Sequence, residues 1–227
     1  MSYFPYLLLD ADNTLFDFNA ANHDAFSSVC SYCDIPYTEE YYNLYESINK
    51  PLWAAFDRGE VTKDFLVVER FRRFLDIVGV KRNPTDCNKL HLSKLGQSTT
   101  LLPYAYDVCR TLSQSHKLYI VTNAVASVQK RRLASSTIAP YISDAFISEE
   151  AGASKPSTEY FNYVFSQVSN LNKNNCILIG DSLSSDIKGA NNFDIPCCWY
   201  NINGESRPRS LRIDYEINDL RQLIDIV

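Results

Sequence analysis

Apolar and polar positions follow two distinct rhythms along this chain. Leu7, Leu8 and Leu9 form a short continuous apolar run. That is the pattern of a strand buried on both faces, as in a parallel sheet covered by helices. From about residue 17 to residue 95 the rhythm is helical, clearest over 20–33, 38–56 and 62–78. Thr38, before Glu39 and Glu40, and Thr62, three residues before Phe65, stand where helices start. Gly59 and Gly79 stand where helices stop.

From Pro103 onward, short apolar runs alternate with helical stretches. Helices are expected at 104–114, 125–134, 158–168 and 186–191, and strands at 118–122, 145–148, 176–181 and 197–200. A marginal strand at 215–217 precedes a closing helix from Leu220. Such alternation predicts right-handed βαβ crossovers and a parallel sheet. The first strand must join that sheet across the helical segment. The expected fold class is therefore α/β, a Rossmann-like parallel sheet core with an inserted α-helical domain. Residues 1–16 and 97–227 form the core in this reading, and residues 17–96 the insertion.

A length of 227 residues leaves room for that division. A formal net charge of −5 argues against nucleic acid or an anionic membrane as partner. No stretch approaches the ~20 apolar residues that cross a bilayer. The start of the chain lacks a basic segment followed by a long apolar core, so a cytoplasmic location is expected. Seven scattered cysteines, an odd number, suit reduced thiols better than a disulfide framework. Cys30-Ser31-Tyr32-Cys33 has no second such pair and no nearby His pair, and is expected to pack rather than to hold zinc.

Four places carry polar residues at or near strand ends: Asp10-Ala11-Asp12-Asn13-Thr14, Thr122-Asn123, Lys155-Pro156, and Gly180-Asp181-Ser182-Leu183-Ser184-Ser185-Asp186. If the strands are parallel and adjacent, these groups converge at one C-terminal edge. Clustered acids repel and lose solvation unless a cation neutralises them, and a divalent metal is the usual solution. Carboxylates, a lysine, a hydroxyl and helix N-terminal amides together suit a phosphate monoester with Mg2+.

These four segments resemble, in order, the motifs of the haloacid dehalogenase-like (HAD) hydrolases, and the resemblance covers nearly the whole chain. The helical insertion looks like that superfamily's cap of the first class. Asn13 stands where many members carry Gly, and Asn also tolerates the backbone of a tight turn. Asn49-Lys50-Pro51-Leu52-Trp53 and Ile147-Ser148-Glu149-Glu150 look like the bacterial pyrimidine 5′-nucleotidases of the superfamily, which act on UMP, dUMP, dTMP and noncanonical analogues.

The resemblance implies Asp10 as nucleophile, forming an aspartyl-phosphate, and Asp12 as the proton carrier. It implies Mg2+, with Mn2+ as a substitute, on the carboxylates of Asp10 and Asp181 and the backbone carbonyl of Asp12. Thr122, Asn123 and Lys155 are expected at the phosphate, with Lys155 beside Asp10. Asn49 and Lys50 are expected to meet the pyrimidine or close over the phosphate. Thr14 and Asp186 are expected to position the others, Asp186 through Lys155 or a metal-bound water. Dehalogenase members carry Tyr at the position of Asp12, so phosphoester chemistry is favoured. The expected partner is a small phosphomonoester, a nucleoside monophosphate above all. Phosphoglycolate or a sugar phosphate is the alternative, and a non-enzymatic binding module the reading from a different class. Trp53 and Phe56 are expected in the core of the insertion, and Lys130-Arg131-Arg132 on a solvated helix face.

Overall fold

The computed structural model describes residues 4–227. Strand β1 (Tyr6–Leu9) is followed by four helices, α1 (Phe18–Tyr32), α2 (Glu39–Asp57), α3 (Lys63–Val78) and α4 (Pro84–Leu95). Helix α5 (Ala105–Leu112) and β2 (Lys117–Thr122) come next, then α6 (Ala126–Ser135), β3 (Ile142–Ile147), α7 (Ser148–Ala151) and α8 (Thr158–Gln167). The chain continues through β4 (Cys176–Gly180), a π-turn at Leu183–Ile187, α9 (Lys188–Phe193), β5 (Cys197–Tyr200), β6 (Tyr215–Ile217) and α10 (Leu223–Ile226). It divides into two compact units, residues 1–18 with 99–227, and residues 19–98.

The first unit is built on one six-stranded parallel sheet in the order β3-β2-β1-β4-β5-β6. Leu7 and Leu9 project into one apolar cluster with α5 and α10 residues such as Val108, Leu112 and Leu223. Leu8 projects into the other, with Tyr160, Phe161 and Val164 of α8 and Ala190 of α9. Alternate residues of one apolar run thus fill both faces, which is why the run has no polar interruption. Strand order reverses at β1, and its neighbours are the two strands that precede Asn123 and Asp181. Such a switch point opens a crevice at the carboxyl ends of the strands.

The loop after β1 is closed by Leu15 N and Phe16 N, both donating to Ala11 O at 2.9 Å. Asn13 takes φ +61° there, the left-handed conformation expected of it. Leaving the sheet, the chain meets its own return segment. Phe16 bridges Leu101 in antiparallel fashion, Leu102 N donates to Leu15 O at 2.8 Å, and Asp17 N donates to Thr100 O at 3.0 Å.

The second unit is held by Phe26, Val29, Cys30, Tyr45, Phe71 and Phe74, with Cys33 and Cys87 buried beside them. Thr38 and Thr62 cap α2 and α3 by accepting from Tyr41 N and Phe65 N, and Gly79 ends α3 at φ +71°. One departure is Trp53 and Phe56. They meet edge-to-face at 5.7 Å but are only half-buried, outside the packed centre. Among the described residues, no helix is long and apolar enough to cross a membrane.

Candidate active site

The register of β1 against β4 sets Leu9 opposite Ile179, and Asp10 N donates to Ile179 O at 2.8 Å. Asp10 therefore leaves the sheet beside Gly180 and Asp181. Thr14, fully buried, ties the two loops together. Its hydroxyl accepts from Asp181 N at 3.2 Å and faces Asp10 Oδ2 at 3.2 Å and Asp181 Oδ1 at 3.5 Å.

Lys155, 1% exposed, comes from the loop before α8 and follows a reciprocal clamp by Asn123. The Asn123 amide accepts from Lys155 N at 3.0 Å and donates to Lys155 O at 2.8 Å. The side chain of Asn123, a residue expected at the phosphate, fixes the lysine loop, with both its polar groups serving that loop's backbone. The Lys155–Pro156 bond is cis. Nζ donates to Asp10 Oδ1 at 2.6 Å, Asp186 Oδ1 at 2.7 Å and Val121 O at 2.7 Å, which uses its three protons. Burial alone would lower the Lys155 ammonium, but Asp10 and Asp186 outweigh it and hold it above its usual range. Thr122 lies beside them, its N donating to Tyr160 Oη at 3.0 Å and its hydroxyl accepting from Ala124 N at 3.1 Å.

Asp10, Asp181 and Asp186 each offer a carboxylate oxygen within 4.8 Å of the others. Burial, with Asp10 and Asp186 adding to it, holds the Asp181 carboxyl well above the ordinary range. Burial likewise pushes Asp186 up to about 7 against the pull of Lys155. One lysine does not balance three clustered acids, and a hard divalent cation with oxygen ligands fits what is missing. Asp186 also accepts from Ser182 N at 3.1 Å, and Trp199 Nε1 donates to Asp181 O at 2.9 Å.

Gly180 is required by this arrangement. A Cβ there would overlap the Asp186 carboxylate, whose own Cβ lies 2.7 Å from that point. Gly180→Ala is expected to displace Asp186 from Lys155 and destabilise the protein by about 1–3 kcal/mol, the usual cost of overpacking. Urea unfolding measures it, and unchanged stability would show that the Asp186 pocket yields freely.

The geometry overturns one expectation, that of Arg132, and places the side chains of Asp12, Asn49 and Lys50. The side chain of Asp12 stands outside the carboxylate cluster. Arg132 Nη1 donates to Asp12 Oδ1, and the guanidinium lies over the Phe16 ring at 4.5 Å. Burial raises the Asp12 carboxyl while Arg132 lowers it and Asp10 adds to the rise. Arg132 itself, expected on a solvated face, is fully buried, whereas Lys130 and Arg131 are exposed as foreseen. Asn49 lies in the second unit with its amide engaged there, accepting from Arg70 Nη1 at 3.2 Å and donating to Glu46 Oε1 at 3.0 Å. Lys50 is exposed, 3.7 Å from Glu46. Arg132 had a signal only in its spacing from Gln129, which places both on one face of α6.

Comparison with known proteins agrees with this architecture. A family model described as haloacid dehalogenase-like hydrolase matches residues 7–200. HAD-hydrolase YfnB of Bacillus subtilis is 35% identical over 221 residues, covering 97% of this chain and 94% of its own. Pyrimidine 5′-nucleotidase PynA of Streptococcus pneumoniae is 30% identical, covering 98% and 94%. Pyrimidine 5′-nucleotidase YjjG of Escherichia coli is 28% identical, covering 96% and 95%. A crystal structure of YfnB bound to magnesium superposes with a TM-score of 0.94, covering 99% of this chain and 98% of that one.

Proposed function

This chain belongs to the haloacid dehalogenase-like hydrolases, and from that premise we propose that it is a Mg2+-dependent phosphomonoester hydrolase with Asp10 as nucleophile, a 5′-nucleotidase for pyrimidine nucleoside monophosphates. The observation that carries the chemistry is one buried constellation. Asp10, held at 2.6 Å by Lys155, shares a carboxylate cluster with Asp181, and a second acid, Asp12, follows two residues on. Kinship to PynA and YjjG across almost the whole chain supports the substrate class.

In this reading an Asp10 oxygen attacks phosphorus as the ester oxygen leaves, and Asp12 gives that oxygen its proton. Asp12, now a carboxylate, takes a proton from the water that attacks the aspartyl-phosphate, which returns Asp10 and releases phosphate. Lys155 and the amides after Thr122 stabilise the phosphoryl oxygens. Mg2+, with Mn2+ as a substitute, would be held by Asp10, Asp181 and the backbone carbonyl of Asp12, with Asp186 beside them. When bound, it supplies positive charge that offsets repulsion between anionic nucleophile and anionic ester.

Phosphate release with Mg2+ is the test, across nucleoside monophosphates, phosphoglycolate and sugar phosphates. UMP, dUMP and dTMP are expected to be turned over best, and chelation with EDTA to stop release. Preference for phosphoglycolate would overturn the nucleotidase reading. No release from any ester would overturn the phosphatase reading as well.

A further inference from the structure

We propose that Arg132 is a positioning residue for Asp12, fixing one oxygen of its carboxylate so that the other is presented to the ester. The inference rests on the phosphatase reading above.

Arg132 lies one turn after Gln129 on α6, and both side chains are fully enclosed. A guanidinium taken out of water costs several kcal/mol unless its surroundings compensate, so its partners matter. They include the Asp12 carboxylate at Nη1, the face of Phe16 at 4.5 Å, and Gln129 Oε1 at 3.5 Å. Asp12 and Phe16 are the two bridged ends of one tight loop. A single guanidinium therefore grips both ends of the loop that carries the proton donor.

Exposure gives the contact a direction. The Arg132 side chain is 0% accessible while that of Asp12 keeps 24%. The arginine therefore approaches from the protein side, and its bond is to Oδ1. Oδ2 is the oxygen that this contact leaves untouched. A carboxyl group that rotates freely about its Cβ–Cγ bond places its acidic proton correctly for only part of the time. One oxygen tied to a planar donor over an aromatic face removes that freedom, and misplacement by an ångström is enough to cost about 10²-fold in rate. Lysine cannot copy the geometry, because the planar fork both stacks and donates.

The consequence depends on the leaving group. A nucleoside alkoxide must be protonated as it departs, whereas p-nitrophenolate departs without help. For both esters kcat/KM reports the first phosphoryl transfer. Arg132→Met is expected to lower kcat/KM for dUMP by about 10²-fold, within the range of general acid catalysis, and to lower it far less for p-nitrophenyl phosphate. In an Asp12→Asn background the same substitution is expected to add almost no further loss on dUMP, since a positioning residue without its client has no effect. Arg132→Lys, which keeps a cation in the same place, is expected to show a smaller loss with the same selectivity. It answers the question if Arg132→Met does not fold.

Equal losses on both esters, or losses that multiply with Asp12→Asn, would show that Arg132 only supports the fold and would overturn the proposal. Wild-type protein that releases phosphate from neither ester would instead overturn the phosphatase reading, and the proposal with it.

Discussion

Asp10→Asn is expected to abolish phosphate release, by at least about 10⁴-fold in kcat, because Asp10 is the nucleophile of the proposed reaction and its loss removes the step that every later one requires. The amide has nearly the shape of the carboxylate, and its oxygen can still accept from Lys155. Lys155 also keeps Asp186 as a charged partner at 2.7 Å. One negative charge leaves a cluster of three mutually repelling acids, so the fold has little reason to suffer. Phosphate release from dUMP with Mg2+ gives the activity, and a thermal melt of the same sample shows that the variant is folded. Near-wild-type turnover by a folded variant would remove Asp10 from the nucleophile's role.

Lys155→Met has the opposite balance, with a large effect on stability as well as activity. The ammonium is 1% exposed and binds two carboxylates and a carbonyl. Removing one member of a buried ion pair leaves an uncompensated charge, at a cost of about 3–5 kcal/mol. The expected result is a fall of that size in urea unfolding, with phosphate release lost. Adding Asp186→Asn to the same chain should restore part of the stability and none of the activity, because it neutralises one of the acids left behind. Wild-type stability in Lys155→Met alone would mean that the cluster is balanced by something other than the lysine.

The frame of this site was legible in the sequence because apolar runs and polar strand ends are local signals. Leu7–Leu9 announces a strand covered on both faces, and Asp10, Thr122 and Asp181 each follow such a run. Their order along the chain and the sheet order agree, so β2, β1 and β4 bring them together. Where the buried face is polar, the same reasoning is silent. Helix α4 buries Asn88 and His91 beside Cys87, because Arg70 lies inside the second unit and donates to Asn88 Oδ1 at 3.3 Å. No apolar period marks such a helix.

Arg132 fails for a related reason. Three consecutive basic residues look alike in a sequence, and beyond the spacing from Gln129 it is the position of Asp12, 120 residues away, that separates the enclosed one from its exposed neighbours. Trp53 and Phe56 illustrate the converse, since aromatic spacing suggests burial that the packing does not complete.

The hydrogen-bonded neck at Phe16, Asp17, Thr100 and Leu101 has a consequence for descent. It pins departure and return side by side whatever lies between them. The entropy of closing such a loop grows only with the logarithm of its length. Lengthening, shortening or exchanging the intervening helices therefore leaves the registers of β1, β2 and β4 untouched. A lineage carrying this neck is free to try new insertions while its reacting groups stay in place, so recognition and chemistry can diversify at different rates.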